Sequence, residues 1–318
     1  MPVCEIDPWR MQYFEGVACP NDVRIPTEDS DAWLWYPAQK WVYNKLAIVE
    51  SQGLPCGPHG VEPPSFPVFS KPIYNLRGMG AGSRVFRSAK EYRLHQNPGH
   101  MWMPLFEGEH VSSDAALVDG EPAWWRHAIG KPLDGGMFDF WTVLAETRPA
   151  IEADCGDWAR RYLVGYTGMV NFETIGTRII EVHLRFSDQW PDLYGQGWVD
   201  ALVRLYGESV WEFDDSGRRD GYSVVLFGAH GVQFAHPPRE LVDELRLTPT
   251  VSSIQITFHE DRPPAAHSMP PGGFRLAIVN GWDLQAGREV RNRLALSYWS
   301  TQHLLPSRGR PVKAAAAS

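Results

Sequence analysis

The sequence predicts an α+β protein, and three stretches carry that expectation. Gly168–Arg185 (GMVNFETIGTRIIEVHLR) alternates like paired strands. Asp119-Gly120 is a strong two-residue hairpin signal after the alternating run through Val111, Ser113 and Ala115. Trp190–Gly207 reads as a turn followed by an amphipathic helix closed by glycine.

The first stretch organises the rest. Ile180, Val182 and Leu184 point one way and Glu181, His183 and Arg185 the other, while Asn171 and Glu173 share a face of the preceding strand. A two-residue loop would set Glu173 opposite Ile180. A three-residue loop, Gly176–Arg178, pairs Glu173 with Glu181 and Asn171 with His183, and is the expected one. Two carboxylates about 5 Å apart across a ladder repel, so the pair makes sense chiefly around a cation. The bland alternative is a solvated hairpin face of mixed polarity.

Bulk properties narrow the class. With 318 residues, 43% of them hydrophobic, the chain can bury a sizeable core in two or three subdomains. No apolar run approaches a membrane span, and the N-terminus lacks the layout of a secretory signal, so a soluble cytoplasmic protein is expected. Cys4, Cys19, Cys56 and Cys155 are too far apart for a zinc knuckle or redox pair and are read as reduced thiols. A net charge of −8 argues against a general nucleic-acid surface. The 14 tryptophans are spread along the chain and are read as core and pocket walls.

In chain order, residues 1–30 look like an irregular lead-in wrapped on the surface. Trp33 ends a strand, Pro37 turns the chain, and a helix carrying Lys45 runs through Asn44–Ser51. Phe66–Lys71 is a short strand stopped by Pro72. Gly78, Gly80 and Gly82 follow at alternate positions, which lets backbone amides surround phosphate oxygens; a plain hairpin tip is the alternative. Strand resumes over Arg84–Phe86, and a helix starts at Ser88–Tyr92. His100–Leu117 is strand, turn at Gly108, strand; Ile129–Gly136 is a loop; Phe138–Tyr166 is helical. Beyond 207, Tyr222–Phe227, Val251–Phe258 and Phe274–Val279 are strands, Pro238–Leu245 and Ala286–Trp299 helices, and Arg308–Ser318 a disordered tail.

A lysine on a helix, a strand-end lysine before a glycine loop, Gly-Glu-His at 108–110, Arg126-His127, Asn-Phe-Glu at 171–173 and Glu-Val-His-Leu-Arg at 181–185 come in an order that resembles the ATP-grasp superfamily, most like its carboxylate–amine ligases and biotin-carboxylase branch. The resemblance covers about Trp41–Gly207. It implies two α+β subdomains clasping ATP, with a shortened lead-in over 1–50, a small lid subdomain over 51–105, a core subdomain over 106–207 and an additional C-terminal α+β region over 208–318, which would replace part of the family's N-terminal domain or mediate oligomerisation. Residue by residue, it implies that Lys45 and Lys71 hold nucleotide phosphates beneath the loop of Gly78, Gly80 and Gly82. Met103, Leu105 and Phe106 would meet adenine, and Glu109 and His110 the ribose and phosphates. Arg126 with His127 would help the bound phosphate or substrate, and Arg185 would meet the γ-phosphate or acyl phosphate. Glu173 and Glu181 match the acids that hold Mg²⁺. His183 stands where an asparagine is usual and would shift preference toward Mn²⁺, and Pro104 stands at a usually acidic position.

The implied reaction is ATP-dependent ligation of a small-molecule carboxylate, amino acid or peptide-like, to an amine through an acyl phosphate, with Asp114, His127 or solvent accepting the amine proton. A non-catalytic ATP-binding module and a kinase of the same fold are the alternatives.

Overall fold

The computed structural model describes residues 5, 7–76, 80–267 and 270–302. A small antiparallel sheet is formed by β1 (Gly57–Pro58), β2 (Val68–Pro72), β3 (Arg84–Phe86) and β4 (His100–Pro104), in the order β1-β4-β2-β3. A large antiparallel sheet follows, from β5 (His110–Val118), β6 (Glu121–Pro132), β7 (Phe138–Val143), β8 (Gly168–Ile175), β9 (Arg178–His183), β10 (Gly221–Gly228), β11 (Val251–Ile256) and β12 (Phe274–Gly281). Its order is β11-β12-β10-β7-β6-β5-β8-β9. The helices are α1 (Pro8–Met11), α2 (Asp29–Trp35), α3 (Lys45–Ser51), α4 (Ala89–Leu94), α5 (Pro149–Tyr162), α6 (Trp198–Glu208), α7 (Arg239–Arg246) and α8 (Leu284–Gln302). None among the described residues is long and apolar enough to cross a membrane.

The large sheet is covered on both faces. Val111, Ala115, Val170 and Phe172 bury against Ile151, Trp158 and Ala159 of α5 and against Ile48 of α3. Ala116, Trp124, Ala128 and Met169 bury against Trp198, Leu202 and Leu205 of α6 and against Phe14, Val23 and Ile25 of the N-terminal segment. The helix read through Asn44–Ser51 is present from Lys45, and the Asp119-Gly120 hairpin turn is present as read. Asn44 caps α3, its side chain accepting from the backbone N–H of Leu46 and Ala47 at 3.1 and 3.2 Å. Asp119 and Gly120 both have positive φ, 54° and 83°, the conformation of a tight hairpin turn, and a Cβ on Gly120 would stand 2.8 Å from the Leu163 carbonyl oxygen.

Several expectations are corrected. The run from Phe138 to Tyr166 is not one helix: Phe138–Val143 is β7, and only Pro149–Tyr162 is helical. Aromatic and β-branched side chains in FDFWTV fit the pleated surface between β6 and β10. The loop expected over 129–136 is strand as far as Pro132, because Ile129 and Gly130 pair with Thr142 and Trp141. Trp33 lies in helix α2. Gly207 does not end α6, which runs to Glu208 and closes on Ser209 at φ 59°. The sheet continues through residue 207, since β10 pairs with β7, so the C-terminal strands belong to the same sheet as the core. Nor does the lead-in merely lie on the surface: Glu5, Arg10 and Asp29 are buried. Gly78 and the tail over Arg308–Ser318 lie outside the described residues.

Candidate active site

The β8–β9 hairpin has the expected pairing by an unexpected route. Asn171 faces His183 and Glu173 faces Glu181, yet the turn is a two-residue one, with Ile175 opposite Arg178. The register shifts between Glu173 and Thr174, leaving Ile180 as an extra, bulged residue. The bulge does two things. It returns both glutamates to one face, and its backbone carbonyl accepts a hydrogen bond from Lys71 Nζ at 2.7 Å.

Three cations and three carboxylates gather there. Lys45, from the first turn of α3, places Nζ 2.7 Å from Glu181 Oε1; Lys71, near the end of β2, places its Nζ 3.6 Å from the same oxygen. His183 Nδ1 donates to Asp29 Oδ2 at 3.0 Å, and Arg185 donates to the same oxygen at 3.1 Å, its Nε standing 2.9 Å from Asp29 Oδ1 as an ion pair. His183 Nε2 stands 3.9 Å from Glu173 Oε1 and 3.7 Å from Glu181 Oε2, too far for hydrogen bonds. His110 Nε2, 3.4 Å from Glu173 Oε2, is buried without a hydrogen-bond partner.

Burial and neighbours set the charges. Burial pushes the Lys71 ammonium down to about 8, against the pull of Glu181. Burial would raise both glutamates, but His110 outweighs it at Glu173 and the two lysines outweigh it at Glu181, so both carboxyls lie below their ordinary range. Burial also opposes charge on His183, and Asp29 overrides it, raising that imidazole. Asp29, against its own burial, is held well below the carboxylate range by Arg185 and His183.

Among the described residues no group of three or more His, Cys, Asp or Glu is arranged to hold a metal ion. The nearest approach to one still has a fitting donor set: two carboxylates, an imidazole Nε2 whose other nitrogen is fixed by Asp29, and the unsatisfied His110 Nε2 beside them.

The remaining expected residues fall in different places. Gly80 and Gly82, on the segment joining β2 to β3, have φ of 65° and 76°; a Cβ on Gly82 would come within 3.1 Å of His100 Nε2. Met103 is buried with Val49 and Met101 beneath the link between the sheets, where Phe106 and Ile180 also pack. Leu105 is exposed. Glu109 is exposed and ion-paired to Arg148 at 3.5 Å.

Arg126 and His127 do not join the cluster. Arg126 is 1% exposed and is spent on Asp215 at 3.2 Å and on the carbonyls of Leu193 and Arg219, so a catalytic role is not supported by its placement. His127 points to the α5 face, bonded to Ser113 at 2.8 Å and Glu152 at 3.0 Å. The residue missed by the sequence reading is Asp29, which orients both His183 and Arg185 from the start of α2; its only visible signal is an acid at a helix start. A surface cavity of about 540 Å³ lined by Gln52, Asp154, Arg161 and Arg178 contains none of the site's side chains.

No protein-family model matches the sequence, and no curated protein matches it. Solved structures do match. The L-amino acid ligase from Bacillus licheniformis is 13% identical, with a TM-score of 0.58 over 91% of this chain and 82% of that one. The phosphoribosylamine–glycine ligase from Thermotoga maritima is 14% identical, with a TM-score of 0.58 over 91% and 85%. The N5-carboxyaminoimidazole synthase from Aspergillus clavatus, solved with ADP and 5-aminoimidazole ribonucleotide, is 12% identical, with a TM-score of 0.56 over 88% and 82%. These matches reach well past the 41–207 segment in which the motifs lie. Two antiparallel sheets joined between Pro104 and His110, the cluster of lysines and glutamates described above, and this similarity together give the conclusion that the chain has the ATP-grasp fold.

Proposed function

We propose that the protein is an ATP-dependent carboxylate–amine ligase that forms an amide or peptide bond through an acyl phosphate. The observation that carries this reading is the convergence of Lys45 and Lys71 on a paired Glu173–Glu181, with Arg185 held two residues beyond His183. With a pKa near 8, Lys71 stays largely charged at neutral pH and can hold a phosphate oxygen as a compact point charge. Lys45 would do the same from α3. Arg185, oriented by Asp29, would meet the transferring phosphoryl group or the acyl phosphate.

Glu173, Glu181 and His183 would hold Mg²⁺ or Mn²⁺, with His110 beside them or on the nucleotide. Bound there, the ion supplies charge neutralisation to the phosphates. Catalysis would come mainly from positioning and electrostatics. Asp114 and His127 are closed off as acceptors of the amine proton: Asp114 is 1% exposed and already accepts from Asn171, Ser187 and Tyr194, and His127 lies on the opposite face. Solvent is left as the acceptor.

The test is interception of the intermediate. With ATP, Mg²⁺ and an acid that drives ADP release, hydroxylamine added in place of the amine should yield the hydroxamate of that acid, and Lys71→Ala should suppress it. ADP without hydroxamate would point to a kinase. No ADP release with any acid would point to a binding module.

A further inference from the structure

Strand β9 lies at the edge of the large sheet, so the backbone groups it turns away from β8 must find partners outside the ladder. At Ile179 a side chain takes that place. Gln52, the residue that closes α3, accepts from the Ile179 N–H through Oε1 at 2.9 Å and donates Nε2 to the Ile179 carbonyl at 2.8 Å. The same Nε2 donates to the Ile48 carbonyl at 3.0 Å, one turn back in α3, which fixes the orientation of the amide. Helix α3 therefore grips β9 from both ends: Lys45 at its start holds Glu181 at 2.7 Å, and Gln52 behind its last residue holds Ile179.

Ile179 is the residue before the bulge. It pairs with Thr174, Ile180 is skipped, and Glu181 pairs with Glu173. Without the skip, the Thr174–Ile179 register would set Ile180 opposite Glu173 and Glu181 opposite Phe172, on the face that Phe172 packs against Trp158 of α5. Successive carbonyls of a regular strand point to opposite sides. Here two in a row leave the hairpin: that of Ile179 goes to Gln52, and that of Ile180 to Lys71 Nζ at 2.7 Å. These contacts hold the kinked backbone from outside, and the kink is what sets Glu181 beside both Glu173 and Lys71.

We propose that Gln52 is a positioning residue for the nucleotide and metal site, touching neither ligand: its grip on Ile179 holds the bulge that turns Glu181 onto the face of Glu173 and offers the Ile180 carbonyl to Lys71. This rests on the reading of Glu173, Glu181 and Lys71 as metal and phosphate groups, and not on what is ligated. A side-chain amide suits the task because it presents an acceptor and a donor side by side, the pair that a neighbouring strand would offer. If Gln52 did no more than satisfy an edge strand, its loss would lower stability and leave nucleotide binding unchanged.

The test compares Gln52→Met, which keeps the length of the side chain and removes both polar atoms, with Ser51→Ala. Ser51 accepts from Trp158 Nε1 at 2.8 Å and donates to the Ile48 carbonyl at 2.8 Å, so its loss weakens the same end of α3 without touching β9. ADP is titrated calorimetrically into each protein, once with Mg²⁺ and once with EDTA, at a temperature where all are folded. Gln52→Met should bind ADP about tenfold more weakly with Mg²⁺, the scale of one or two hydrogen bonds, and should lose most of the affinity that Mg²⁺ adds in the wild type. Ser51→Ala should lower the melting temperature and keep the wild-type affinity and its Mg²⁺ dependence. Hydrogen exchange across 176–184, followed by mass spectrometry without ligand, reads the grip itself and should quicken in Gln52→Met alone. Wild-type ADP affinity and Mg²⁺ dependence in Gln52→Met, or equal losses in Ser51→Ala, overturns the proposal. A wild type that binds no ADP with Mg²⁺ rejects the nucleotide-site reading, and with it a functional role for Gln52, even where the exchange difference remains.

Discussion

One face of the large sheet carries two clusters of buried charge, and they differ in how far the protein satisfies them. Around Asp114, the carboxylate's needs are met internally. Its carboxylate accepts from Asn171 at 2.7 Å, from the Ser187 N–H at 2.8 Å and from the Tyr194 hydroxyl at 2.5 Å, and Arg126, its register partner, is closed on Asp215. Around Glu173 and Glu181 the contacts are incomplete. One oxygen of Glu181 serves two lysines, His183 Nε2 reaches neither glutamate, and His110 Nε2 has no hydrogen-bond partner. A saturated cluster specifies a fold. An unsaturated one, where Glu173 keeps 30% of its side chain exposed, has valence left for a ligand.

Removing an acid from the unsaturated cluster should therefore cost function far more than structure. Glu181→Gln takes the shared counter-charge from Lys45 and Lys71, and turnover should fall about 100- to 1,000-fold with little change in the circular dichroism spectrum. ADP release at limiting Mg²⁺ measures it; near-normal turnover would mean that the pair is only another structural cluster.

The saturated cluster should respond in the opposite sense. Arg126→Met takes a buried donor from Asp215, which keeps Trp124 and Arg218, and from the carbonyls of Leu193 and Arg219, and should destabilise the fold by about 1–3 kcal/mol. Calorimetric ADP affinity of the folded variant should stay unchanged. A large loss of ADP affinity at an unchanged denaturation midpoint would move Arg126 back into the nucleotide site.

Asp114 adds a pH test within the saturated cluster. Burial raises its carboxyl to about 6, even though Tyr194, Ser187 and Asn171 all favour the charged form. The folded state thus holds the proton more tightly than the unfolded one, whose value is ordinary. The resulting stability is fully present below about pH 4 and is lost as pH rises through about 6, an amplitude of about 3 kcal/mol. Asp114→Asn should consequently cost about that much less, relative to wild type, at pH 7 than at pH 4 in urea titrations. A cost independent of pH would mean that Asp114 titrates normally.

The two clusters were unequally legible in the sequence, for physical reasons. Period-2 alternation grouped Asn171 with Glu173 and Glu181 with His183, but their pairing was read through a three-residue loop, whereas the chain reaches it with a two-residue turn and a bulge. The bulge at Ile180 was hidden, since no side-chain pattern marks a residue whose contribution is a carbonyl for Lys71. Asp29 was hidden by distance: it meets His183 across 154 positions, from a segment without periodicity. Arg126 looked functional because a charged residue in an apolar strand looks the same whether its partner is a ligand or Asp215, 89 positions on. Strand β7 merged with α5 into one apparent helix because aromatic runs suit either structure when read without their neighbours.

His183 gives the smallest expected effect and the sharpest comparison, because it alone links a saturated contact to an unsaturated one. Its Nδ1 is fixed by Asp29, which leaves Nε2 turned toward both glutamates. An imidazole nitrogen is a softer donor than an amide oxygen, so it should favour Mn²⁺ over Mg²⁺. His183→Asn should shift that preference toward Mg²⁺ by about tenfold, or ~1.4 kcal/mol. Electron paramagnetic resonance of Mn²⁺ bound with ADP, competed by Mg²⁺, reads this without turnover. Asp29→Asn provides the control: it should lower Mn²⁺ affinity about 10- to 100-fold by freeing the ring that Asp29 orients. If His183→Asn leaves the Mn²⁺ to Mg²⁺ ratio untouched, the imidazole lies outside the ion's ligand shell, and its raised proton affinity serves only to neutralise Asp29 and the two glutamates.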